Sequence, residues 1–168
     1  AAQAANLAKA GHDVRAFDLA QPALDRAKEA GCLPVGSAAE AAADAEFIVS
    51  MLPAGQHVRS VYEKEIFGNA PVSALLMDCS TIDITSARPV SSAAAEQGYA
   101  MLDAPVSGGI AAAAAGTLTF MVGGSAEAFG RGEPILSQMG KTVIHAGGNG
   151  NGQAAKIVNN MILGATMI

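Results

Sequence analysis

Tryptophan is absent from the 168-residue chain, and aromatic residues make up only 4% of it. The core must therefore be built from aliphatic side chains and close backbone approach, not from stacked rings. Charge is also scarce. Charged residues account for 15%, the formal net charge is -5, and there is no basic run. A nucleic-acid partner is not expected on that ground, because such binding rests on neutralising phosphates with clustered cations. Cys32 and Cys79 are the only cysteines. That is too few for a disulfide framework and points to a reducing compartment. His12, His57 and His145 lie far apart and share no metal-ligand spacing with the cysteines or acids. No serine sits in the G-x-S-x-G context of a hydrolase elbow. The longest apolar stretch, 157–168, contains Asn159 and Asn160 and is too short to span a bilayer. A membrane partner is not expected.

What is abundant is small. Alanine occurs 37 times and glycine 19 times, hydrophobic residues reach 51%, and the mean hydropathy is +0.31. Such a chain has the apolar area that a disordered segment lacks, and its length suits one domain with a sizeable core. Alanine is the best helix former, and its small side chain lets helices pack closely on a sheet.

Along the chain, helix and strand alternate. Residues 1–10 read as a helix stopped by Gly11, 14–18 as a short strand, and 22–30 as a helix with Pro22 in its first turn. Ser37 and Glu40 form a capping box for the next helix. Residues 47–52 and 74–78 are continuous apolar strands, the pattern of strands buried on both faces of a parallel sheet. A helix over 83–97, a strand over 99–103, a loop over 104–109, a strand over 117–122, a helix over 126–139 and a strand over 142–145 follow. The alanine run 111–115 is the closest approach to low complexity. A glycine-rich turn over 147–152 leads into a last helix. The pattern predicts an α/β fold, a doubly wound Rossmann-type sheet with helices on both faces, followed by the start of a long interdomain helix.

In such sheets ligands bind at the carboxyl ends of the strands. Asp18 stands at one of these ends, where an acid can accept hydrogen bonds from an adenosine ribose and repel a 2′-phosphate; a plain surface acid gives the same pattern. The glycine fingerprint expected about 20 residues earlier is not in this chain; if 1–10 is the helix that follows the glycine loop, that loop is expected just before Ala1. Gly150-Asn151-Gly152-Gln153-Ala154-Ala155 matches the fingerprint's form but reads as a tight turn launching the last helix. Lys156 and Asn160 are four apart on that helix and share a face. Lysine in apolar surroundings can act as a general acid or base, and an amide one turn on can orient a substrate oxygen. A snorkelling lysine beside a solvated asparagine fits the spacing equally well. The hydroxyl and amides of Ser107, Gly108 and Gly109 can form an anion nest, or merely a turn.

Taken together, DAPVSGG over 103–109, TLTFMVGG over 117–124, GNGQAAKIVNNM over 150–161, MLPAGQH over 51–57 and DCSTI over 78–82 resemble the 3-hydroxyisobutyrate dehydrogenases of the β-hydroxyacid dehydrogenase family. The similarity covers essentially the whole chain. It implies an NAD cofactor, with Lys156 as the catalytic lysine at the substrate hydroxyl. Ser107, Gly108 and Gly109 match the loop for the substrate carboxylate, and Asn160 matches the asparagine one turn after the lysine. Leu52, Pro53 and His57 match positions lining the adenosine side of the cofactor, Thr81 a position near the nicotinamide ribose, and Asp18 the ribose-reading acid.

The reaction implied is oxidation of 3-hydroxyisobutyrate to methylmalonate semialdehyde, a step of valine catabolism. The partner is a small hydroxy acid, and the full-length protein is expected to be a homo-oligomer. A bacterial cytoplasm, or a mitochondrial matrix if the source is eukaryotic, is the expected compartment. Tartronate semialdehyde reductases share the plan but tend to carry Lys-x-x-Asn-Gln where this chain has Asn159-Asn160. A 6-phosphogluconate dehydrogenase would need basic residues in the 103–109 loop. A non-catalytic nucleotide-binding module is disfavoured by the retained Lys156. The resemblance also divides the chain into an NAD-binding domain over 1–151, lacking its first strand and glycine loop, and the start of a helix over 152–168 leading to a helical domain. The chain as written should therefore bind NAD poorly.

Overall fold

The computed structural model describes residues 2–166. The chain runs α1 (Ala2–Lys9), β1 (Arg15–Ala16), α2 (Gln21–Glu29), β2 (Leu33–Pro34), α3 (Ala38–Ala42), β3 (Phe47–Ser50) and α4 (Gly55–Val61). It continues with β4 (Leu75–Asp78), α5 (Ile84–Glu96), β5 (Ala100–Asp103), β6 (Val106–Ser107), α6 (Gly109–Ala115), β7 (Leu118–Gly123), α7 (Ala126–Leu136), β8 (Gly140–Gly147) and α8 (Asn151–Thr166). Ala1, the first residue of the expected 1–10 helix, and residues 167–168, the expected end of the last helix, lie outside the described residues.

Helices cover both faces of the sheet because side chains alternate along each strand. In β4, Leu75 and Met77 enter one core with Leu7 of α1 and Leu136 of α7. Leu76 between them enters the other, with Val58 of α4 and Val90 of α5. The two aromatic anchors fit this plan: Phe120 is fully buried in the first core and Tyr62 in the second.

The sheet is mixed where continuous apolar strands suggested a parallel one. β3, β4 and β5 are parallel, β7 runs antiparallel to β5 and β6, and β8 is parallel to β7. The reversal arises in the 104–109 stretch. Instead of a loop it holds β6, whose Val106 and Ser107 pair with Phe120 and Thr119. The alanine run then forms α6, a short turn back where a parallel neighbour would need a longer crossover. Two further elements carry too little signal to read: β2, two residues ending in proline, and α4, which continues through Tyr62–Ile66 as a π turn closed by Phe67 N–H on Tyr62 O at 2.9 Å. At α3 the capping box is offset by one residue. Ser37 Oγ accepts from Glu40 N at 3.0 Å, but the Glu40 carboxylate accepts from Gly36 N at 2.7 Å, not from Ser37.

β1 and β2 form a separate two-stranded parallel sheet, and β3 pairs with β4 alone. Between them lies an open groove of about 970 Å³, lined among others by Leu7, Val14, Ala16, Phe47, Val49 and Ile135. For this reason all four residues of β3 are only half-buried, unlike the fully covered strand its apolar run suggests. β4, with neighbours on both edges, is buried throughout.

Candidate active site

Two buried carboxylates organise the carboxyl ends of the central strands. Asp78, the last residue of β4, accepts through Oδ1 from Ser50 Oγ at 2.8 Å, Ser80 Oγ at 2.6 Å and Ser80 N at 3.2 Å. Ser50 in turn meets the Tyr62 hydroxyl at 2.9 Å, and Ser80 Oγ accepts from Leu52 N at 2.7 Å. The loops after β3 and β4 are thus tied together beneath Leu52, Pro53 and Thr81. Burial pushes the Asp78 carboxyl above the usual range, against the lowering effect of the serine hydrogen bonds. A carboxyl raised by folding contributes stability that is complete below the unfolded value near pH 4 and lost as pH rises through the folded one. Asp78→Asn keeps the amide oxygen for all three donors and removes this titration. It should resist urea better than the parent at neutral pH, with the advantage vanishing in acid; equal midpoints at both pH values would contradict this.

Asp103, at the end of β5, holds the entry to α8. Its Oδ1 accepts from Gly150 N at 2.7 Å and its Oδ2 from Gln153 N at 3.0 Å. Burial raises this carboxyl too, in spite of those bonds. One turn on, Lys156 is 8% exposed, and burial alone lowers its ammonium below the ordinary lysine value. The ion pairs among the described residues, Arg15–Asp44 and Arg59–Glu63, do not involve it. A lysine that is desolvated without an acid partner has a larger neutral fraction near pH 8 than an exposed one.

The structure brings the lysine helix and the 103–109 segment together. Asn159 Nδ2 lies 3.4 Å from Ser107 Oγ, so Ser107 faces the turn of α8 that follows Lys156. Gly108 and Gly109 come next at φ 129° and 70°, both exposed. A side chain at Gly108 would also strike the Ala112 Cβ at 2.6 Å. Asn160 is exposed, because α8 leaves the sheet beyond Lys156 and only Asn159 in its continuation is half-buried. Sequence reasoning passed over Asn159, although its i+3 spacing from Lys156 puts it on the same side of the helix. It also passed over Gln153, whose burial had no periodic signal.

The remaining expected residues are spread along the same edge. Thr81, Pro53 and His57 are exposed, Leu52 is half-buried, and His57 sits in the first turn of α4. Asp18 is exposed after β1, accepts from Ala20 N at 2.9 Å, and lines the groove beside β3. None of the hydrogen bonds described joins Asp18 or His57 to α8. Cys79 is fully buried, and burial pushes its thiol well up, which removes it as a nucleophile. Gly150, at φ 87°, makes the turn into α8, so the fingerprint-like 150–155 segment is helix entry. Among the described residues no group of three acids, histidines or cysteines could hold a metal, and no helix is long and apolar enough to cross a membrane.

A doubly wound sheet with polar loops gathered at the carboxyl ends of β3 and β4 defines a Rossmann-type dinucleotide-binding domain. Residues 1–148 match the family described as the NAD binding domain of 6-phosphogluconate dehydrogenase, and the chain belongs to that family. It is 51% identical to a 3-hydroxyisobutyrate dehydrogenase of Pseudomonas aeruginosa over 98% of this chain and 56% of that protein. It is 49% identical to an NAD-dependent L-serine dehydrogenase of the same organism, over 100% of this chain and 57% of that one. Among solved structures, the Mycobacterium tuberculosis 3-hydroxyisobutyrate dehydrogenase with L-serine superposes with a TM-score of 0.94 at 46% identity, covering 96% of this chain and 55% of its own. The chain thus spans just over half the length of the relatives it matches.

Proposed function

We propose that this chain is the cofactor-binding part of an NAD-dependent 3-hydroxyisobutyrate dehydrogenase of valine breakdown. The observation that carries the reading is the buried Lys156, which joins neither ion pair among the described residues, one turn from a half-buried Asn159 that faces Ser107. The residues present fit a dinucleotide. Asp18 offers an exposed carboxylate at a strand end, Leu52, Pro53 and Thr81 stand on loops fixed to one another from below, and His57 follows in the first turn of α4. When bound, NAD supplies the hydride acceptor.

The chain's own residues do the rest. Ser107 and the Gly108–Gly109 amides hold the substrate carboxylate. Asn160 and Asn159 orient the hydroxyl, and Lys156 takes up its proton. Fixing both ends of a short hydroxy acid converts binding into orientation, a large source of rate. The same contacts suit L-serine, which shares the carboxylate and primary alcohol and differs at the central carbon. The relative named for that substrate favours it as the second reading.

The groove between β1 and β3 supports a further parallel strand, which with its glycine loop would complete the phosphate site. The exposed Ile157, Val158, Met161, Ile162 and Leu163 of α8 support a covering helical domain and a homo-oligomer. In the complete polypeptide, turnover of 3-hydroxyisobutyrate should exceed that of L-serine and tartronate semialdehyde; preference for either of the others would reassign the substrate. Asp18→Ser should weaken discrimination against NADP by about tenfold or more, the equivalent of ~1.4 kcal/mol. Unchanged selectivity would move the ribose contact elsewhere.

A further inference from the structure

The side chain of Gln153 is wholly buried, yet it belongs to the first turn of the helix that carries Lys156. Both ends of its amide are used. Nε2 donates to Ser80 O at 2.7 Å, and Oε1 accepts from Ile82 N at 3.1 Å. These two backbone groups flank Thr81. The main-chain N–H of Gln153 meanwhile donates to the Asp103 carboxylate. One residue therefore touches three pieces: β5 through its main chain, the loop after β4 through its side chain, and Lys156 through the helix.

We propose that Gln153 is a positioning residue, a two-pronged clamp that fixes the distance between the Thr81 loop and Lys156. The inference rests on the function proposed above, in which the loop faces the cofactor and the lysine faces the substrate. Gln153 touches neither ligand. Its effect is exerted on relative placement, where errors of about 1 Å can cost 10²-fold in rate. An amide is required because the loop presents one acceptor and one donor. A methionine can satisfy neither and would leave both buried backbone groups unpaired. A glutamate can satisfy both only while protonated, its O–H donating to Ser80 O and its carbonyl oxygen accepting from Ile82 N–H. The charged groups around this position are Asp103, bonded to the main chain of Gln153, Asp78, bonded to Ser80, Asp83, which follows Ile82, Arg88 of α5, packed against Gly150, and Lys156, three residues along α8. Burial and the acids hold a carboxyl here in its neutral form to higher pH, while Lys156 and Arg88 act in the opposite sense.

The test is made on the complete polypeptide with NAD and whichever hydroxy acid it turns over fastest. Gln153→Met should lower kcat by about 10- to 100-fold. The NAD dissociation constant and the KM for the acid should move no more than a few-fold, and the isotope effect with substrate deuterated at the alcohol carbon should increase. Gln153→Glu should retain most of the parent's kcat at pH 6 and lose it progressively towards pH 9, measured as the ratio of variant to parent after the Lys156 limb of each pH profile is fitted separately, because an ionised Glu at this position shifts that limb. Should the methionine variant fail to fold, that ratio decides alone. A pH-independent ratio, or a methionine variant with parental kcat, overturns the clamp while leaving the dehydrogenase reading intact. A parent that oxidises no hydroxy acid overturns both.

Discussion

Lys156→Ala in the complete polypeptide lowers turnover of 3-hydroxyisobutyrate by about 10²- to 10⁴-fold, the usual contribution of a positioned general acid or base, and leaves NAD binding within a few-fold of the parent. The split is expected because Lys156 lies one turn beyond the clamp to the cofactor loop and makes no contact with that loop in the hydrogen bonds described. The pH profile supplies a second readout. Oxidation requires a neutral amine to accept the hydroxyl proton, so activity rises with pH through the lysine's titration. Burial lowers that titration, so the rising limb falls at lower pH than an exposed lysine would give, and it disappears in the alanine variant. Turnover close to the parent's would remove Lys156 from the chemistry and with it the proposed function.

The alternation of helix and strand and the longer elements were legible in the sequence, for physical reasons. Runs such as Leu75-Leu76-Met77 announce a strand covered on both faces, and the structure covers them. Asp83 and Ser125 cap α5 and α7 through Ser86 N and Ala128 N, as local sequence can dictate. What could not be read depends on partners distant in sequence. β6 exists only because Phe120 and Thr119 lie beside Val106 and Ser107, and two-residue strands have no periodicity of their own. The half-burial of β3 reflects the groove beside it, not its composition. At the site, Lys156 is buried although the apolar neighbours that suggested its desolvation, Ile157, Val158, Met161, Ile162 and Leu163, are exposed, and the roles of Gln153 and Asp103 had no signal in the sequence. Their roles come from Ser80, Ile82 and Gly150, separated from them by 73, 71 and 47 positions. Such contacts leave no spacing to detect.

The scarcity of large side chains has its own consequence at the joint between β5, β7 and α8. Gly152→Ala should be the most damaging single-methyl change tested in this joint. A Cβ there would collide with Asp103 O and lie 2.5 Å from Met121 O. Both are strand backbone atoms, so no flexible side chain can move aside, and α8 itself must shift outwards. Overpacking of this kind costs about 3 kcal/mol, which for a domain of this size lowers Tm by roughly 6–12 °C. The displacement would also stretch the bonds of Asp103 to Gly150 N and Gln153 N, so activity should fall even well below the melting temperature. Gly130→Ala is the matched control. Gly130 lies within α7 with nothing within 4 Å of its missing Cβ, so the same methyl should stabilise the helix by about 0.5–1 kcal/mol. Opposite signs for the two substitutions in thermal melts would show that close backbone approach, not helix propensity, sets the requirement for glycine at position 152. Equal effects would mean that α8 seats loosely on the sheet, and a loosely seated helix could not hold Lys156 in register with the cofactor loop.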